Sequence, residues 1–98
     1  MKKDIQYILN ILREVTPLVK KKFNVNTIEV FGSFIRNKQH HNSDVDILVT
    51  FVKTPSLLKF IELENFLSDK IGIKVDLVMK NSLKPRLKQS ILNNSIPV

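Results

Sequence analysis

Phe31-Gly32-Ser33, then ten residues, then Asp44-Val45-Asp46-Ile47-Leu48-Val49: on this stretch the reading of the chain turns. Ahead of it, Thr27 to Phe31 is β-branched and aromatic, a composition that predicts a strand. Gly32 stops that strand, and Ser33 to Lys38 reads as a short helix. A glycine between a strand and a helix lets a ligand approach the backbone closely, and the free N–H groups of the helix end favour an anion. Ser33 adds a hydroxyl to this turn. Arg36, one turn along, can reach the same anion with its guanidinium. Gly-Ser alone is a common turn, so its value here comes from the two acids downstream of it.

Those acids are Asp44 and Asp46. Asp46 to Val52 reads as a second strand whose long apolar run suggests burial on both faces. Side chains at i and i+2 of a strand share a face and stand about 6.5–7 Å apart. Asp44 and Asp46 therefore converge on one side at the strand start. Like charges held close raise each other's pKa unless a cation lies between them. Hard oxygen donors of this kind suit Mg²⁺, which prefers a few carboxylates plus phosphates and water. An isolated Asp-x-Asp is also what a polar turn before a strand looks like. An EF-hand loop is excluded, because Leu48 occupies the third ligand position and no loop glycine comes after it. A third acid, Asp76, interrupts the apolar run Lys74-Val75-Asp76-Leu77-Val78. A carboxylate there is costly unless it faces solvent or finds a partner. Phosphate turn plus three acids is equipment for handling a nucleotide, with two metals able to clamp the attacking and leaving oxygens of an in-line displacement.

Outward from this centre the elements alternate. Residues 5–22 form an amphipathic helix, with Ile5, Ile8, Leu9, Leu12, Val15 and Val19 on one stripe. Asp4 is its expected N-cap, and Lys20 to Lys22 suit its negative end. Pro17 is expected to kink or split it. Gln39 to Ser43 is polar loop. Thr54-Pro55-Ser56 starts a helix with Pro in its first turn, Leu57 to Ile71 continues it and Gly72 closes it. Ile73 to Met79 is a third strand, and Asn81-Ser82 caps a last helix over 83–93. The order αβαβαβα predicts an α/β arrangement, helices packed on a small sheet that is at least partly parallel. If the second and third strands are neighbours in a βαβ unit, Asp46 and Asp76 face each other.

Composition bounds the rest. Ninety-eight residues suggest one domain spanning 1–98, and 43% apolar residues are enough for a core. The absence of cysteine excludes disulfides and thiolate metal sites. Apolar runs are too short for a membrane span and the N-terminus lacks a signal-peptide core, so the expectation is a cytoplasmic protein without membrane contact. The net charge of +7 attracts nucleotides, nucleic acid or acidic proteins. Lys80, Lys84, Arg86 and Lys88, with no acid after Asp76, make the C-terminal part basic. No DNA-binding motif accompanies them, so nucleic acid is not the expected partner. His40 and His41 read as solvated loop, and Tyr7 has no assignable role.

Gly32-Ser33-Phe34-Ile35-Arg36 and Ser43-Asp44-Val45-Asp46-Ile47-Leu48-Val49 together resemble the signature of the minimal nucleotidyltransferase (MNT) family of the DNA polymerase β superfold, Gly-Ser, ten residues, Asp-x-Asp. The likeness continues through Pro55-Ser56-Leu57, Phe60-Ile61-Glu62-Leu63-Glu64, Lys74 to Val78 and Leu83-Lys84-Pro85-Arg86-Leu87-Lys88. It implies a mixed sheet flanked by helices, Asp44, Asp46 and Asp76 as catalytic metal ligands, and Gly32-Ser33 at a nucleotide triphosphate. It further implies Mg²⁺, ATP and a partner. Chains of this family are typically encoded with a HEPN-domain ribonuclease toxin and act as its antitoxin, some by transferring AMP from ATP to a toxin tyrosine. Where the family usually has Gly after Arg36, this chain has Asn37, a residue that tolerates left-handed backbone better than most. Two functions are therefore expected to compete: adenylylation of the partner, and neutralisation by binding and masking it without catalysis.

Overall fold

The computed structural model describes residues 4–32 and 44–98. Ser33, Arg36, Asn37, His40 and His41 lie outside the described residues, as do the helix expected over 33–38 and the loop expected over 39–43.

The first helix, α1 (Ile5–Phe23), begins as its sequence requires: the Asp4 carboxylate accepts the Tyr7 N–H at 3.1 Å. It ends at Asn24 in a left-handed conformation, φ 58°, with Lys20, Lys21 and Lys22 in the last turn. The expected split at Pro17 does not occur, and the helix runs through it. Its stripe Ile8, Leu12, Val15 and Val19 is buried on both sides of the proline while Pro17 itself is exposed, so packing of that stripe outweighs the lost hydrogen bond.

Strand β1 (Val25–Phe31) leads into Gly32, and strand β2 (Val45–Phe51) begins between the two acids. Helix α2 (Leu57–Ile71) is capped by Ser56, whose hydroxyl accepts the Lys59 N–H at 3.2 Å; Pro55 therefore precedes the cap and is not in the first helical turn. Gly72, φ 78°, closes the helix. Strand β3 (Val75–Met79) passes into a 3₁₀ turn at Lys80–Ser82, and helix α3 (Pro85–Asn93) comes next. Asn81 and Ser82 belong to that turn, and α3 starts two residues later than expected, with Lys84 at the N-cap and no side-chain cap. A further strand, β4 (Ile96–Pro97), is not anticipated by the sequence reading.

The sheet order is β3-β2-β1-β4. β1 is antiparallel to both β2 and β4, whereas β2 and β3 are parallel, as the βαβ unit requires. The expected mixed sheet flanked by helices is thus the observed one. Alternation along the strands divides its faces. Ile28, Val30, Val45, Ile47, Val49, Val75 and Leu77 pack with Leu12 and Val19 of α1 and Leu63, Leu67 and Ile71 of α2 into one core. The Tyr7 hydroxyl donates to the Ile71 carbonyl at 2.9 Å, tying the start of α1 to the end of α2. The opposite face carries Glu29, Phe31, Asp46, Leu48, Asp76 and Val78. Ile47, Leu48 and Val49 are all buried, so β2 is covered on both faces as its apolar run predicts.

Candidate active site

The face opposite the core holds the chemistry. In the parallel pair, Asp46 and Asp76 are direct register partners, and Phe31 is the partner of Asp46 on the antiparallel side. Neighbouring strands lie about 4.8 Å apart, so the two carboxylates start from adjacent Cα positions on the same face. Asp44 stands just before β2 and is partly buried, with the neighbouring Val45 N–H donating to the Lys74 carbonyl at 2.9 Å. Among the described residues no three acids or histidines are drawn together tightly enough to grip an ion by themselves. The structure pairs Asp46 with Asp76 across β2 and β3, and Asp44 stands two residues before Asp46, just ahead of β2.

Gly32 completes the centre. Its φ of +84° lies in the left-handed region, and a Cβ placed on it would come within 2.9 Å of Asp46 Cγ and closer still to Oδ2. No side chain fits between this turn and the Asp46 carboxylate. The glycine is therefore demanded twice, by backbone conformation and by space. Asp46 and Asp76 offer only oxygen donors, a set that suits a hard divalent ion. The residues present fit such a group.

Phe31, Gly32, Asp46, Asp76, Val78, Leu83, Ser90, Ile91 and Asn94 line a cleft of about 390 Å³. Four of these, Leu83, Ser90, Ile91 and Asn94, come from α3 and its flanks, and the last three were not singled out from the sequence. They combine apolar surface with hydroxyl and amide groups, which suits a nucleoside. A second hollow, lined by Thr16, Lys20, Glu29, Lys80 and Val98 among others, is about 200 Å³ and contains neither site aspartate; the chemistry marks the larger cleft as the site.

α3 has no fully buried residue of its own, so something must hold it over the cleft. Glu29 does so from both ends. Its Oε2 faces Lys80 Nζ at 2.9 Å, just before α3, and its Oε1 accepts the Ser95 hydroxyl at 3.2 Å, just after α3. The Lys80 contact is an ion pair without the angle of a directed hydrogen bond. Glu29 and Lys80 are mostly shielded from water, at 14% and 31% side-chain exposure. Pairing strand β4 with Glu29 and Val30 fastens the chain beyond α3 to the same edge.

This fold is shared with known proteins. The description of the polymerase β nucleotidyltransferase family matches residues 13–98. The chain belongs to that family. It is 45% identical over 94 residues to the protein adenylyltransferase MntA of Thermococcus cleftensis, spanning 96% of this chain and 95% of that one. A solved minimal nucleotidyltransferase superposes with a TM-score of 0.79 at 32% identity, over 97% of this chain and 96% of that one. A toxin–antitoxin structure with AMP-PNP superposes with a TM-score of 0.68 at 28% identity, over 99% of this chain and 72% of that one. Members of the family use a nucleotide and a divalent metal. Among the described residues no helix is long and apolar enough to cross a membrane.

Proposed function

We propose that this nucleotidyltransferase is a Mg²⁺-dependent protein adenylyltransferase that acts as an antitoxin, transferring AMP from ATP to a tyrosine of a partner HEPN ribonuclease toxin. The observation that carries this reading is the register pairing of Asp46 with Asp76 beside a glycine turn that excludes any side chain. Its support from relatives is the adenylyltransferase of Thermococcus cleftensis and the nucleotide-bearing toxin–antitoxin structure.

In this reading Asp44, Asp46 and Asp76 hold two Mg²⁺ ions, which when bound neutralise the triphosphate and the charge of the transfer. The Gly32 turn, with Ser33, receives the phosphates on its N–H groups, and Arg36 adds charge beside them. Val78, Leu83 and Ile91 flank the nucleoside while Ser90 and Asn94 offer it hydrogen bonds. Asp76, exposed on the edge strand β3, accepts the proton of the attacking hydroxyl. The new bond joins the tyrosine oxygen to the α-phosphorus, the α–β bridging bond breaks, and pyrophosphate leaves. Positioning and charge neutralisation supply most of the rate. In this reading the acceptor hydroxyl is the partner's tyrosine. The expected compartment is the cytoplasm.

One observation favours neutralisation by binding alone. Leu57 and Leu58 are 73% and 81% exposed, and Ile61, one turn along α2, is exposed as well. Exposed large apolar groups in a cluster mark interaction surfaces. The two readings separate on an Asp44→Asn/Asp46→Asn double variant co-expressed with the toxin. Loss of protection with the complex intact supports transfer; full protection supports masking.

A further inference from the structure

β3 is an edge strand, so the N–H groups on its outer side have no strand to pair with. Two of them are taken up by α2 side chains. The Val75 N–H donates to Ser68 Oγ at 2.9 Å, and the Leu77 N–H donates to Glu64 Oε2, also at 2.9 Å. The Ser68 hydroxyl in turn donates to the Glu64 carbonyl at 2.8 Å, which orients its lone pairs toward the strand. Val75 and Leu77 are the two neighbours of Asp76. The edge of the sheet is thus clamped on either side of one residue, and that residue carries the exposed carboxylate facing Asp46.

We propose that Glu64, assisted by Ser68, is a positioning residue that sets the separation of Asp76 from Asp46 and so the fit of the divalent metal. An edge strand held only from the β2 side can shear or peel, carrying Asp76 with it. A charge-assisted bond to the Leu77 amide is stronger than one to a neutral acceptor and removes that freedom. Glu64 reaches the strand from α2 and bonds the Leu77 amide, one residue from Asp76. Outer partners of this kind typically change metal affinity by about 10–100-fold. The inference rests on the reading of Asp46 and Asp76 as metal ligands.

The test is Mn²⁺ binding to the full chain by calorimetry in the presence of a non-hydrolysable ATP analogue, with hydrogen exchange of the Leu77 amide followed in parallel. Glu64→Leu should fold, expose the Leu77 amide to exchange and weaken Mn²⁺ by about tenfold or more. Glu64→Gln keeps an acceptor oxygen and should recover most of the affinity. Ser68→Ala removes one bond of the clamp, and should weaken Mn²⁺ by a smaller factor even if Glu64→Leu does not fold. Unchanged Mn²⁺ affinity in folded Glu64→Leu, or in Ser68→Ala where Glu64→Leu fails to fold, overturns the proposal. Failure of the unaltered chain to bind Mn²⁺ overturns the functional reading instead.

Discussion

Asp46 and Asp76 are opposite one another in the register of the parallel strands β2 and β3, two carboxylates on one face of the sheet. A divalent ion held by both carboxylates binds the folded chain and not the unfolded one. Divalent metal is therefore expected to raise the melting temperature of the isolated chain. Saturation at about a hundred times the dissociation constant corresponds to about 2.7 kcal/mol. A thermal shift titration with Mg²⁺ and Mn²⁺ measures it, and Asp46→Asn should lose most of the shift.

Gly32→Ala should separate the two demands made on that position. The left-handed backbone costs an L-residue about 1–2 kcal/mol, a loss that a denaturation curve can read. The collision with Asp46 should do more harm to the site than to the fold. Nucleotide binding measured by calorimetry is expected to fall by well over tenfold while far-UV circular dichroism stays native.

The Glu29 staple predicts an asymmetry between single and double variants. Lys80→Met leaves the shielded Glu29 carboxylate without its cation. Fully buried pairs lose about 3–5 kcal/mol when broken this way; at the exposure of Lys80 about 1–2 kcal/mol is expected. Because α3 lines the cleft, KM for ATP should rise more than kcat falls. Adding Glu29→Gln should restore much of the stability, measured by chemical denaturation.

Pro17 sits exposed inside α1 and deprives the Arg13 carbonyl of the N–H that would normally reach it. Replacing it with Ala restores that bond and a favourable helix residue. The gain expected is about 1 kcal/mol or more, the helix penalty of Pro less the entropy that Pro removes from the unfolded chain. A higher denaturation midpoint with unchanged activity checks it.

These residues also show what a sequence can reveal. Alternation and β-branched runs announce β1, β2 and β3, because burying one or both faces of a strand needs that pattern. The βαβ unit then makes Asp46 and Asp76 neighbours, so the acid pair is legible before any coordinates. β4 is not, since two residues carry no period and Ile96–Pro97 becomes a strand only because β1 offers an open edge. Pro17 misleads as to a split: its local penalty is real, but the buried stripe on either side keeps the helix continuous. Ser90 and Asn94 are invisible as cleft residues because only the docking of α3 gives them that position. Glu29 reads as an ordinary strand acid until Lys80 and Ser95 are seen to meet on it.

The most direct measurement is transfer from α-labelled ATP to a partner HEPN toxin, in Mg²⁺, with Asp46→Asn and Asp76→Asn as paired variants. The unaltered chain should label the toxin, and each variant should lower the rate by at least a hundredfold (about 2.7 kcal/mol of transition-state stabilisation) while still forming the complex. Labelling that persists undiminished in both variants would contradict the assignment of this carboxylate pair as the catalytic centre.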